Sequence, residues 1–101
     1  MKALFLTNEF PPNVYGGAGV HVDYLTQEIA DIINVEVRCF GDQEVIKESL
    51  SAKGHTLDNF VDDKCPKEFQ GLFHTLARCL SFNMDPVDAD VVHCHTWYTH
   101  F

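Results

Sequence analysis

The sequence predicts an α/β protein built on a parallel β-sheet. Residues 2–7 form a short apolar run bounded by Asn8 and a proline pair, which is typical of a buried parallel strand. A glycine-containing loop and a stretch of helical periodicity follow, and residues 35–40 then alternate in polarity before Gly41. This strand, loop, helix, strand order is that of a βαβ unit, and βαβ units build parallel sheets.

The first helix is predicted to begin near Gly17 or Ala18 and to stop near Asn34. Its apolar side chains recur at steps of four and three residues, so they form one stripe that faces the core: Ala18, Val22, Leu25, Ile29 and Ile32.

The second half of the chain has a weaker pattern up to residue 66. We expect a short helix over residues 44–50 and loops at Gly54-His55 and Asp62-Asp63. From Lys67 the spacing predicts an amphipathic helix of about four turns, which Asp85-Pro86 ends. Its apolar stripe is Phe69, Leu72, Phe73, Leu76 and Leu80. Residues 90–95 are predicted to form another buried strand.

The composition of the chain, and above all its acidic charge, indicates which kinds of partner it does not bind. The chain has 15 acidic and 7 basic residues and a formal charge of -8, so it lacks the clustered cations that bind nucleic acid or an anionic membrane. No apolar run is long enough to span a bilayer. The four cysteines form no C-x-x-C pair, and we interpret them as small apolar residues in a reducing compartment. We therefore expect a cytoplasmic protein that binds neither nucleic acid nor membrane.

The glycine loop, residues 13–19, is the first candidate site. It lies between the first strand and the first helix, where open α/β sheets bind ligands. Glycines at this position let the backbone approach a phosphate, and a helix N-terminus favours its charge. The spacing is G-G-x-G, which matches neither common nucleotide-binding fingerprint. A turn that merely requires positive φ is the alternative.

Two histidines form the second candidate site. His93 and His95 are two residues apart, so they lie on one face of the last predicted strand, with Cys94 on the other. A third metal ligand is not evident, and we predict no metal site. His95 ends the strand and should lie at the same edge as the glycine loop, whereas we expect His93 to be buried and hydrogen-bonded.

Aromatic and polar residues beside these strands form a third candidate site. Trp97 and Tyr98 present rings that can stack on a sugar, although packing in the core or at a domain interface would also explain them. Asn8 and Glu9 directly follow the first strand, where they can hydrogen-bond sugar hydroxyls or cap the loop.

Two stretches together resemble a known family of enzymes. One runs from Leu4 through Pro11-Pro12 to Gly16-Gly17-Ala18-Gly19-Val20-His21-Val22, and the other is Asp90-Val91-Val92-His93-Cys94-His95-Thr96-Trp97-Tyr98. They resemble retaining glycosyltransferases of the glycogen and starch synthase type. The resemblance implies a GT-B fold, with two Rossmann-like domains facing a cleft, and this chain as part of the N-terminal, acceptor-side domain.

The resemblance also implies an activity. The family transfers glucose from ADP-glucose or UDP-glucose to an α-1,4-glucan with retention of configuration, and it needs no metal or other cofactor. Gly16 and Gly17 match the glycine pair that approaches the donor, and His95, Trp97 and Tyr98 match a segment that lines the cleft. Bacterial glycogen synthases have Lys-Thr where Val14-Tyr15 stand here and Asp where Thr96 stands, so these differences favour broader relatives of the family.

The resemblance leads us to expect that the chain is a piece of a longer enzyme. The catalytic residues should then lie beyond residue 101, and the piece alone should be inactive. An open sheet edge would favour marginal stability or self-association. Two alternatives stay open: a glycosyltransferase with a lipid, cell-wall or small-molecule acceptor, and a non-catalytic module that binds nucleotide or glycan.

Overall fold

A computed structural model describes residues 1–56 and 64–100 of the chain. Its five-stranded sheet has the order β3-β4-β2-β1-β5, and all neighbours are parallel except β3 and β4. The elements are β1 (Lys2–Leu6), α1 (Gly17–Ala30), β2 (Asn34–Phe40), β3 (Glu44–Ile46), β4 (Leu50–His55), α2 (Lys67–Met84) and β5 (Val91–Cys94). The predicted Rossmann-like α/β architecture is confirmed.

The two helices pack against opposite faces of the sheet. Alternate residues of a strand point to opposite faces, and Phe5 of β1 therefore packs in one apolar cluster with Val22 of α1. Its neighbour Leu6 packs in a second cluster with Phe82 of α2. All four side chains are buried, so the central strand β1 has apolar partners on both faces.

The buried face of α1 differs in part from the predicted stripe. Gly19, Val22 and Thr26 are its buried residues, and the Thr26 hydroxyl donates a hydrogen bond to the Val22 carbonyl at 2.8 Å. The prediction was wrong for Ala18, which is exposed, and for Ile32, which is 83% exposed. Ile32 follows the end of the helix at Ala30, so the helical spacing no longer directs its side chain to the core.

The prediction of a helix over residues 44–50 was wrong, because this segment forms β3 and the turn into β4. β3 pairs antiparallel with β4, and the Lys47 amide donates to the Leu50 carbonyl at 2.8 Å across the turn. Gly54 and His55, expected in a loop, belong to β4 and pair with β2. The pairing of β4 with β2 joins residues that are distant in sequence, so local sequence could not reveal it. The loop expected at Asp62-Asp63 lies outside the described residues.

α2 begins at Lys67 as predicted and is longer than expected, with 18 residues. Its buried residues are Ala77, Cys79 and Phe82, whereas the first half of the predicted stripe is close to half exposed: Phe69, Leu72 and Phe73. The helix packs on β2 and β4.

β5 is an edge strand, and the prediction that it is buried was wrong. All four residues, Val91–Cys94, are exposed. The strand pairs with β1, and within the described residues nothing pairs with its other side. The prediction that His93 is buried fails for the same reason.

The cysteines are free thiols, and two of them fit the prediction of small apolar residues. Burial raises the pKa of Cys39 to about 12 and that of Cys79 to about 11. Cys94 is exposed on β5, contrary to the prediction. Over residues 1–56 and 64–100, neither helix has the length and apolar character needed to cross a membrane.

Candidate functional site

The carboxyl ends of β1 and β5 meet at the point where the strand order reverses. β2 and β4 extend the sheet to one side of β1, and β5 lies on the other. Open α/β sheets bind ligands outside such a switch point. Asn8, just after β1, donates from Nδ2 to the Tyr98 hydroxyl at 3.2 Å. The His95 amide donates to the Leu6 carbonyl at 2.9 Å. The segments after the two strands are therefore joined.

The glycine pair lies at the start of α1 and borders open space. Gly16 is the N-cap with φ -162° and ψ -168°, an extended conformation that any residue adopts, and Gly17 is the first helical residue. Neither has positive φ. A Cβ added to either would meet no atom within 4 Å. Because neither backbone geometry nor internal packing requires glycine here, the alternative of a positive-φ turn is excluded.

The third glycine of the motif and Glu9 have structural roles. A Cβ on Gly19 would come within 2.9 Å of Glu9 Cβ and Val14 Cγ1, so Gly19 permits the loop to pack on the helix. Glu9 Oε1 accepts hydrogen bonds from the amides of Tyr15 and Gly16, the latter at 3.0 Å. Of the two roles considered for Glu9, the structure shows capping of the loop.

The first turn of α1 contains no acidic residue of its own, and no side-chain hydrogen bond caps its described residues. One carboxylate lies beside it, because Glu9 Oε1 accepts from the amide of the N-cap residue Gly16. The leading amides of a helix have no intrahelical partner, and the helix dipole favours an anion beside them. The amides of the first turn therefore favour a phosphate group, whereas the Glu9 carboxylate opposes it.

His95 lies in a row of three imidazoles. Its ring stacks on His21 of α1, with centroids 5.4 Å apart, and on His93, with centroids 5.9 Å apart. The predicted common face of His93 and His95 is thus confirmed, and the sequence reasoning missed His21. Burial, followed by the nearby His21 and His93, lowers the pKa of His95. Over residues 1–56 and 64–100, no group of three His, Cys, Asp or Glu side chains has the arrangement of a metal site.

Trp97 and Tyr98 differ in their environment although they are adjacent. Trp97 is 73% exposed. Tyr98 is partly buried and packs against the apolar cluster that contains Leu6 and Phe82. Their rings meet edge to face with centroids 5.4 Å apart. Tyr98 therefore packs in part in the core, which was one of the two roles considered for it. The indole of Trp97 is exposed and available to contact a ligand.

A cavity of about 350 Å³ lies at the carboxyl ends of β1, β2 and β4, beside this switch point. Its polar lining consists of Asn8, Asn13, Tyr15, Asp42, Thr56 and Arg78. Of the residues singled out in the sequence, Asn8 lines this cavity, whereas the glycine pair, His95 and Trp97 do not. Thr56 directly follows β4 and Asp42 lies two residues after β2, positions that could have indicated them. Arg78 lies within a helix, where no local signal marks it.

Comparison with known proteins adds a relationship that the geometry alone does not supply. The chain is 32% identical over 99 residues to an α-maltose-1-phosphate synthase of Mycolicibacterium smegmatis, and the match covers 98% of this chain. It is 34% identical over 99 residues to proteins of the same name from two strains of Mycobacterium tuberculosis. Its homologues are glycosyltransferases. No family model matches the chain.

The homology is confined to part of these relatives. The chain spans about a quarter of their length, 23% in each case. A relationship to glycosyltransferases and a Rossmann-like α/β fold are therefore established for this chain. The GT-B architecture, the donor and the acceptor belong to the proposal below.

Proposed function

We propose that this chain is part of the acceptor-side domain of a GT-B glycosyltransferase that transfers glucose from ADP-glucose or UDP-glucose with retention of configuration. The observation that carries the proposal is the similarity to α-maltose-1-phosphate synthases, which extends over 98% of the chain. The catalytic residues are assigned to the part of the parent enzyme beyond residue 101, so the chain alone is expected to be inactive.

The glycine pair supports a nucleotide-sugar donor. Gly16 and Gly17 leave open space at a helix N-terminus whose first turn contains no acidic residue, although the Glu9 carboxylate bonds the Gly16 amide. A diphosphate can approach this backbone closely and be stabilised by the helix dipole. In the transfer, the bond between the glucosyl C1 and the diphosphate oxygen breaks and the acceptor oxygen bonds to C1. The nucleoside diphosphate leaves with the bonding electron pair and the proton of the acceptor hydroxyl. His95, Trp97 and Tyr98 are proposed to line the cleft in which this occurs.

The names of the relatives favour a small acceptor over a polymer. Maltose 1-phosphate contains two glucose units and one phosphate, so a glucosyl transfer that forms it needs a phosphorylated hexose such as glucose 1-phosphate as the acceptor. This is the small-molecule alternative of the sequence-based hypothesis. Transfer to an α-1,4-glucan, which the resemblance to glycogen and starch synthases implies, is the second candidate.

A transfer assay with the full-length parent protein tests the proposal. Radiolabelled ADP-glucose and UDP-glucose are supplied separately, each with glucose 1-phosphate or with glycogen. We expect label in a disaccharide phosphate from one donor. Label in precipitated glucan instead would establish the second candidate. No transfer from either donor by a folded protein would contradict the proposal and favour a binding module or a different acceptor.

The glycine pair can be tested with a matched substitution. Gly17→Ala places a methyl group in the open space at the start of α1, while Gly71→Ala adds the same group to an exposed site of α2, where it also meets nothing within 4 Å. We expect Gly17→Ala to lower the transfer rate about 100-fold, since an ångström of misplacement has an effect of this order. Gly71→Ala should leave the rate unchanged. Equal rates for the two variants would remove Gly17 from the donor site.

A further inference from the structure

We propose that the cavity at the carboxyl ends of β1, β2 and β4 binds the phosphorylated hexose acceptor, with Arg78 at the phosphate and Asn8 and Asn13 at the sugar hydroxyls. This inference rests on the proposed function and assigns a place to its acceptor. The cavity volume of about 350 Å³ is at the lower end of the range for small-molecule sites. It suits a monosaccharide better than an extended glucan.

Asn13 is held in place by a buried network. Its Nδ2 donates to Gln43 Oε1 at 3.1 Å, and Gln43 Nε2 in turn donates to the Phe10 carbonyl at 3.0 Å. Gln43 is a buried residue, so its carboxamide has little freedom to turn. Gly41 makes the arrangement possible, because a Cβ at this position would collide with Gln43 Oε1 and Asn13 Nδ2. The network orients Asn13 before any ligand arrives.

Asn8 is oriented in a similar way by a different partner, the Tyr98 hydroxyl. Because both asparagines donate to the protein with Nδ2, their Oδ1 atoms are the groups left to accept hydrogen bonds from a ligand. Within residues 1–56 and 64–100, no donor is bonded to either Oδ1. Sugar hydroxyl groups are donors of the required kind. Two preoriented acceptors lining one cavity therefore match a polyhydroxylated ring.

The charged residues of the cavity indicate how the ligand is oriented in it. Arg78 is the cation among its described lining residues, and its guanidinium lies 5.5 Å from the centre of the Phe40 ring. Stacking on a ring favours a defined orientation of the guanidinium plane, and this plane matches two oxygens of a phosphate. Asp42 repels a phosphate but accepts hydrogen bonds from hydroxyls. We therefore assign the phosphate to Arg78 and the sugar to Asp42, with Thr56 as a further hydroxyl partner.

Calorimetric titration of the full-length protein tests the assignment with three probes: glucose 1-phosphate, glucose and inorganic phosphate. We expect glucose 1-phosphate to bind most tightly. Arg78→Gln should weaken its binding about tenfold or more and leave glucose binding unchanged. Asn13→Ala should weaken binding of both sugars. Lys47→Gln, which removes an exposed cation at the opposite end of β4, is the matched control and should have no effect.

Folding is checked by circular dichroism, and Arg78→Lys provides a second variant that keeps the charge. It should bind glucose 1-phosphate with intermediate affinity, because an ammonium lacks the two-pronged geometry. Unchanged binding in both Arg78 variants would overturn the assignment, as would inorganic phosphate binding as tightly as glucose 1-phosphate.

The transfer assay separates this inference from the proposed function. Transfer to glucose 1-phosphate with an unaltered KM in Arg78→Gln would overturn the cavity assignment and leave the function standing. Binding of glucose 1-phosphate that depends on Arg78, without transfer from either donor, would support the cavity site and contradict the function.

Discussion

Gly41 ends β2 with φ +125°, a backbone conformation that side chains with a Cβ rarely adopt. The neighbouring strand also depends on glycine, since a Cβ on Gly54 would come within 2.5 Å of the Gly41 carbonyl oxygen. These two glycines allow the turn after β2 to pack closely on β4 beside the cavity. Gly71, by contrast, lies exposed inside α2, where its flexibility serves no packing purpose in the described chain.

The same substitution should therefore have opposite effects at these positions. Gly41→Ala should lower the free energy of unfolding by about 1–3 kcal/mol because of backbone strain, with the steric collision adding to it. Gly71→Ala should raise it by about 0.5–1 kcal/mol, since alanine loses less backbone entropy in a helix. Urea denaturation of both variants measures the difference. Equal stabilities would show that the conformation at Gly41 carries no strain.

At the scale of elements, Arg38 connects the sheet to the end of α2. Its side chain is buried, at 4% exposure, and Nη1 donates to the carbonyl oxygens of Phe82 at 2.7 Å and Asp85 at 3.2 Å. Nη2 donates to the Pro86 carbonyl at 2.7 Å. The last carbonyls of a helix lack intrahelical donors, and a cation there also complements the helix dipole. The buried charge of Arg38 thus has a structural explanation.

Arg38→Met should destabilise the chain by about 3 kcal/mol, because three carbonyl groups lose a charged donor. Arg38→Lys should have an intermediate effect, since a single ammonium cannot reach all three acceptors. The measurement is urea denaturation followed by the helical circular dichroism signal. Lys53→Met, which removes an exposed cation of β4, is the control. If both methionine variants were equally stable, the proposed cap would be wrong.

At the scale of the whole molecule, the sheet has two edges of different character. β3 is a short edge strand that begins with Glu44 and is followed by Lys47, and short length and charge discourage pairing with another chain. β5 exposes Val91 at 53% and Val92 at 44%, and the side of this strand that no described residue pairs with presents backbone hydrogen-bonding groups. Such an edge can be covered by a further strand of a longer parent or by a second copy of this chain.

The 101-residue chain on its own is therefore expected to associate through β5. Sedimentation velocity should show dimers or larger species whose fraction rises with concentration. Val92→Lys should shift the chain toward monomer, since a charge at an edge opposes strand addition. Ile32→Lys alters an apolar residue that is 83% exposed but lies outside the sheet, and it should not change association. A chain that is monomeric at every concentration would contradict this expectation.

The sequence by itself determined the elements whose cause is local. The βαβ unit, the start of α2 at Lys67 and the shared face of His93 and His95 follow from periodicity over neighbouring residues. The sequence also placed the glycine pair between β1 and α1, and the motifs at the two ends of the chain indicated a glycosyltransferase.

Only the tertiary structure decided the features that depend on distant residues. β4 exists because Leu50–His55 pairs with β2, and β5 is exposed because it lies at an edge. The Asn13–Gln43 network joins residues 30 positions apart, and the Arg38 cap reaches up to 48 positions along the chain. Hydrogen bonds and burial of this kind leave no periodic trace in the sequence, and the cavity that they build could not be predicted from it.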